Sequence, residues 1–179
     1  MATEPFLITT LSNVVRKLNE QGVDYALAGG LAYGALVEPR ATTDVDLLVL
    51  LEPTSPDQIA ALFSGVFDSV VPHPAPMPFK GVTIWRVVGV KDDREAIVDL
   101  LLVRSEFHRQ ALARKRAVDF QGLALPIVTL EDLVILKAMA GRLRDMADIE
   151  HIKRQPELQI DWTYIETWLE KLKLPVIPP

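Results

Sequence analysis

Over the first twenty residues, apolar side chains recur at helical spacing at Leu7, Leu11, Val14, Val15 and Leu18, and Gly22 follows the last polar turn. This pattern predicts an amphipathic helix ending near Gln21. A short buried strand over 23–28 runs into Gly29-Gly30, and a second helix spans 31–37. Pro39 interrupts the chain, and 45–51 is apolar on both faces, as a strand in a sheet interior must be. The stretch 52–57 carries a turn and helix-start signal. A helix over 59–63 and a short strand over 67–71 come next.

Four prolines within 72–78 withhold amide donors and push their neighbours toward extended geometry, so this stretch is expected as a semi-rigid loop. Two strands, 82–90 and 95–103, flank the polar hairpin turn 91–94, and a helix over 105–116 follows. One or two short strands across 118–128 are interrupted at Gly122. Thr129 caps a helix over 130–140, which Gly141 ends or kinks; helices over 142–154 and from the cap Asp161 through 172 complete the chain before an irregular tail. The predicted fold class is α/β: a small mixed, twisted sheet flanked by helices with a C-terminal helical extension. The expected division is a core over 1–128 and a helical part over 129–179 packed on it.

Charge breaks this apolar pattern in two places. Asp44 and Asp46 open the 45–51 strand, and Asp99 sits alone within the apolar run 97–103. Successive side chains of a strand alternate between faces, so Asp44 and Asp46 point the same way, about 7 Å apart at a rise of about 3.3 Å per residue. Burying such a pair uncompensated costs several kcal/mol, and a hard divalent cation is the simplest remedy. If the Asp99 strand pairs beside the Asp46 strand, three carboxylates surround a space fit for two Mg²⁺ or Mn²⁺ ions, which would stabilise the attacking and leaving oxygens of an in-line phosphoryl displacement. Two plainer readings stand beside this one: Asp44 as a strand-start capping residue, and Asp99 as the partner of a buried arginine.

Composition narrows the function classes. An apolar fraction of 49% and a charged fraction of 24% are those of a globular chain. No apolar run reaches the ~20 residues of a membrane span, residues 1–5 lack a secretory pattern, and no cysteine is present, so a cytoplasmic protein without membrane partners is expected. A net charge of −5 argues against a surface given over to nucleic acid, whose binding is driven by phosphate neutralisation. The one dense basic run, from Arg104 to Arg116, reads as a solvated helix face. His73, His108 and His151 lack metal-ligand spacing and are expected at the surface or in packing. Trp85, Trp162, Trp168, Met139 and Met146 are expected in packing positions, with base stacking as a second reading for Trp85.

Gly29-Gly30 at a strand end lets backbone amides at a helix start approach phosphate oxygens closely. It is neither a P-loop nor a dinucleotide fingerprint. Together with Asp44-Val45-Asp46 and the later lone Asp99, it resembles the nucleotidyltransferase superfamily that includes DNA polymerase beta. Arg40-Ala41-Thr42-Thr43-Asp44-Val45-Asp46 and Leu136 through Asp148 further resemble its AbiEii-like branch. The resemblance implies the nucleotidyltransferase fold and transfer of a nucleoside monophosphate from an NTP to a hydroxyl acceptor. The acceptor is then tRNA, a protein or a small molecule, and a toxin–antitoxin or phage-defence role with an antitoxin-like partner belongs to the same implication. Gly29, Gly30, Arg40, Thr42, Lys137, Arg142 and Asp148 would meet the nucleotide, and Asp44, Asp46 and Asp99 would be catalytic metal ligands. Asp145 and Asp148, three apart on one helical face, would orient Lys137 or Arg142, or tie the two helices together. The alternative is a catalytically silent member of the fold that binds a nucleotide or a partner.

Overall fold

The computed structural model describes residues 6–53 and 55–177. The readings made of residues 1–5, of Thr54 in the predicted turn and of the last two residues of the tail lie outside these. In chain order the elements are α1 (Phe6–Glu20), β1 (Asp24–Leu27), α2 (Gly29–Leu36), β2 (Asp44–Leu50), α3 (Pro56–Leu62), β3 (Ser69–Pro72), β4 (Met77–Phe79) and β5 (Val82–Lys91). They continue with β6 (Arg94–Leu102), α4 (Glu106–Arg114), β7 (Arg116–Phe120), β8 (Leu123–Ile127), α5 (Leu130–Ala140), α6 (Leu143–Lys153) and α7 (Trp162–Lys171).

One mixed sheet runs in the order β3-β5-β6-β2-β1-β8-β7, with β4 also on β5. Its centre is the parallel pair β2–β6, and β1 pairs antiparallel with β2. Val45, Leu47, Leu48 and Val49 of β2 and Val98, Leu100 and Leu102 of β6 are buried, as a strand covered on both faces requires. Leu11, Val14 and Leu18 place the apolar stripe of α1 in the core.

The proline stretch departs from its predicted loop. Pro72 closes β3, and Met77-Pro78-Phe79 forms β4; both strands lie along the outer edge of β5, where a missing amide costs no ladder bond. The second helix starts at Gly29, two residues earlier than expected. The basic run divides between α4 and β7, so its helix ends at Arg114. Met146 is 41% exposed and Leu143 93% exposed, so Met146 is not the core residue expected of it. Trp85 is buried and donates from Nε1 to the His73 carbonyl at 2.7 Å, which removes its indole from any role in base stacking.

The C-terminal helices are pinned by a buried carboxylate. Asp132 accepts from Tyr164 Oη at 2.7 Å, from Thr129 Oγ1 at 2.7 Å and from Arg114 Nε at 3.2 Å, joining α4, α5 and α7. Phe107 packs against the edge of Trp168, with centroids 5.3 Å apart. His108 is fully buried, and burial beside Arg109 lowers its pKa to about 4.

Gly89 of β5 has no room for a side chain, since an added Cβ would lie 2.5 Å from the Phe67 ring. Gly89→Val is therefore expected to destabilise the fold by about 1–3 kcal/mol through overpacking, read as a lower urea midpoint at unchanged slope. An unchanged midpoint would contradict the tight contact.

Candidate active site

The register of the central strands decides where the acids meet. Asp46 of β2 is the direct parallel partner of Asp99 of β6, and Asp44 lies one pleat back on the face that Asp46 occupies. Asp99 is 5% exposed, and Asp46 is partly buried. Burial, then Asp99, then Asp44 push the Asp46 carboxyl up to about 6, against a backbone hydrogen bond from Gly30. Asp44 accepts from Thr43 Oγ1 at 2.5 Å.

Arg86 answers half of this charge. Its Nε donates to Asp99 Oδ1 at 2.8 Å and its Nη2 to Asp99 Oδ2 at 2.7 Å, a bidentate pair across the β5–β6 hairpin that holds the guanidinium further above its ordinary range. The plainer expectation for Asp99, an arginine partner, is thus met, although the Arg86 side chain is half exposed rather than buried. A bidentate guanidinium takes only about two of the roughly four lone-pair directions of a carboxylate, so Asp99 keeps acceptor capacity toward the acid face.

Gly29, the first residue of α2, has φ of +61°, a region that favours glycine. A Cβ there would stand 1.9 Å from Asp46 Oδ2, so the helix start reaches Asp46 only because the side chain is absent. At Gly30 a Cβ would lie 2.6 Å from Thr42 Oγ1 and 3.2 Å from Arg40 Nη2. Gly29, Gly30, Arg40 and Thr42 are therefore brought together at the N-terminus of α2.

Lys137, Arg142 and Asp148 form a second layer above the acids. Lys137 is 3% exposed and donates to Asp148 Oδ2 at 2.6 Å, with Asp145 Oδ1 at 3.7 Å. Asp148 also accepts from Arg40 Nη1 at 3.2 Å, and both cations lie over the Tyr33 ring, at 5.1 Å for Arg40 and 5.4 Å for Lys137. Arg142 caps α6, its backbone amide and its Nε both donating to Asp145 Oδ2, at 3.2 and 2.6 Å, and its Nη2 to Asp145 Oδ1 at 3.2 Å, while most of the side chain stays exposed. Asp145, Asp46 and Asp99 all raise the Arg142 pKa. The acids of α6 thus both orient Lys137 and Arg142 and tie α5 to α6, across the left-handed Gly141 that ends α5.

Two contributors lie outside the residues that the sequence pattern singles out. Tyr33 gives no sequence signal. Arg86 does: counting back from the two-residue turn Asp92-Asp93 of the hairpin places Arg86 opposite Asp99. Elsewhere, the basic run is largely spent on ion pairs, Arg104 with Glu52, Arg114 with Glu131 and Asp132, and Lys115 with Asp24. His73, His108 and His151 lie apart from the acids.

Asp46 and Asp99 open into a cleft of about 390 Å³ that also reaches Gly29, Arg86, Lys137 and Arg142; Asp44 is not part of its lining. Among the described residues no three acidic or imidazole groups already converge on a common ion position, and Asp99 is engaged by Arg86. The donor chemistry nevertheless suits a hard divalent cation: oxygen ligands only, and an excess negative charge at Asp46 that such an ion would neutralise.

Comparison with known proteins bears on family and fold. A family model described as nucleotidyl transferase of unknown function (DUF2204) matches residues 7–174. The chain belongs to this family. Curated protein sequences give no significant match. Among solved structures, this DUF2204 member is similar to ANT(2″)-Ia in complex with adenylyl-2″-tobramycin, at 10% identity and a TM-score of 0.56, covering 93% of this chain and 96% of that one. It is also similar to the lincosamide antibiotic adenylyltransferase LnuA bound to lincomycin (13% identity, TM-score 0.54, 81% and 95% covered). A third likeness is to an antigenic nucleotidyltransferase-like protein from Paracoccidioides brasiliensis (20%, 0.50, 92% and 88%). These likenesses show the nucleotidyltransferase fold. Among the described residues no helix is long and apolar enough to cross a membrane.

The raised Asp46 pKa has a measurable sign. A carboxyl whose folded pKa exceeds its unfolded value near 3.9 adds stability that is complete below pH ~4 and lost as pH rises through about 6. In EDTA, Asp46→Asn is expected to be more stable than the parent at pH 8, by about 1–3 kcal/mol, and equally stable at pH 4. Denaturant melts at the two pH values test this; a variant destabilised at pH 8 would contradict it.

Proposed function

We propose that this protein is a metal-dependent nucleotidyltransferase that moves a nucleoside monophosphate from an NTP to a hydroxyl acceptor and releases pyrophosphate. The single observation carrying the reading is the Asp46–Asp99 register pair, with Asp44 on the same face, beside the Gly29-Gly30 helix start. Family membership and the adenylyltransferases of the same fold support it.

In this reading Gly29, Gly30 and the first amides of α2 receive the triphosphate. Asp44, Asp46 and Asp99 hold Mg²⁺ or Mn²⁺, which when bound would stabilise charge on the attacking and leaving oxygens. The acceptor hydroxyl forms a bond to the α-phosphorus, the bond from that phosphorus to the pyrophosphate oxygen breaks, and the hydroxyl proton passes to the Asp99 carboxylate. Arg86 fixes the Asp99 carboxylate in the plane of its guanidinium. Arg142, exposed at the cleft and held bidentately by Asp145, lends its charge to the triphosphate from within that pair, whereas buried Lys137 acts with Arg40 and Asp148 to hold α5 and α6 over the nucleotide. Thr42 packs this corner against Gly30.

A closer kinship with the AbiEii-like branch, and with it a tRNA target, a toxin role or an antitoxin-like partner, rests on the Arg40–Asp46 and Leu136–Asp148 motifs alone. A cytoplasmic setting is part of the same proposal.

Asp46→Asn and Asp99→Asn should each lower turnover of labelled NTP by at least about a hundredfold while the far-UV circular dichroism stays that of the parent. Retained activity in either variant would overturn the mechanism. NTP binding without turnover in the parent, across all four NTPs with Mg²⁺ and Mn²⁺ and a total RNA and protein extract, would point to a silent member of the fold.

A further inference from the structure

Across the sheet, the acids have two unlike neighbours. On the β1 side of Asp46 lies the Gly29-Gly30 helix start. On the β5 side of Asp99 the same cleft becomes an apolar slot, walled by Ile84 of β5, Leu101 of β6, Phe79 of β4, and Leu133, Leu136 and Ala140 along one face of α5. The register explains the change of character: Asp99 faces Arg86, and two residues on, Leu101 faces Ile84.

An in-line displacement places the attacking oxygen opposite the leaving pyrophosphate. With the phosphates on the glycine side, the acceptor must enter from the Asp99 side, which is the apolar slot. The slot also has no charge to offer an acceptor's body. Among the described residues, the cations that line the cleft are each paired: Arg86 with Asp99, Lys137 with Asp148, and Arg142 with Asp145. A polyanion would meet no free cation there, and a polycation would have to displace one of these pairs or the metal.

Building on the transfer reading above, we infer that the acceptor is an uncharged, predominantly apolar small-molecule alcohol seated against Phe79, Leu101 and Leu136, its hydroxyl directed to Asp99. The slot is one end of a cleft of about 390 Å³ that it shares with Gly29, Asp46 and Asp99, which leaves it room for a small molecule only. The product is the nucleoside monophosphate ester of that alcohol, formed with loss of pyrophosphate and one proton.

The test offers the full-length protein 4-phenylbutanol, tobramycin or bulk tRNA, each with α-labelled ATP and Mn²⁺, and in parallel measures 4-phenylbutanol binding alone by saturation-transfer NMR. Two variants accompany it. Leu136→Asn puts a polar group in the wall, and Phe79→Ser, at a residue already 38% exposed, spares the core. The expected result is label in the alcohol, with its KM raised about tenfold or more in both variants and the KM for ATP moved less. Label in tobramycin or tRNA but not in the alcohol overturns the inference and leaves nucleotidyl transfer standing. A rise in the ATP KM with the alcohol KM unmoved overturns it too, by making the slot the seat of the base. Alcohol binding that both variants weaken, with no label in any acceptor, overturns the transfer reading and the slot's acceptor role with it. Alcohol binding unchanged in both variants overturns the assignment of the slot.

Discussion

Two carboxylates made direct neighbours on adjacent parallel strands set the terms for the rest of this structure. The β2–β6 pairing puts Asp46 beside Asp99 in the centre of the sheet, where strand geometry gives neither acid room to move away. Arg86 compensates Asp99 from the next strand. Asp46 has no such partner, and burial, then the Asp99 and Asp44 carboxylates beside it, raise its pKa. The surroundings accommodate that charge rather than remove it: Gly29 withholds a side chain so that the start of α2 can approach, and Arg142 sits close enough to feel both acids. An arrangement that is costly when empty and suited to a divalent cation is what the proposed phosphoryl transfer would require.

Above the acids, charge is handled in a different way. Arg40, Asp148, Lys137, Asp145 and Arg142 form a chain in which every cation has an acid, and Tyr33 lies beneath two of them. Such a chain contributes less to stability than to fixing α5 and α6 over the cleft, since a well-paired buried network roughly offsets its own desolvation. It also explains why a cleft with so many ionisable neighbours presents an apolar slot to whatever enters beside Asp99.

Much of this was legible in the residues because the informative signals are local. The two-faced apolar runs of β2 and β6, the lone Asp99 within one of them and the Gly-Gly turn each follow from strand and turn chemistry, and the condition that the strands be neighbours is met by the register. The Arg86–Asp99 pair was also within reach, since a hairpin turn fixes cross-strand partners by counting. What was not legible depends on tertiary placement. The proline segment forms edge strands because β5 has a free outer edge, a property of the sheet and not of residues 72–78. Met146 faces outward and Lys137 is buried in ion pairs because of how α6 crosses α5, which helical periodicity does not encode.

The account stands or falls on whether the unpaired charge at Asp46 serves a divalent cation. The direct measurement is Mn²⁺ titration of the metal-free protein followed by electron paramagnetic resonance, for the parent and for Asp46→Asn. Bound Mn²⁺ in the parent that the variant loses is the predicted result. No Mn²⁺ binding by the folded parent, or equal binding by the two, would contradict it.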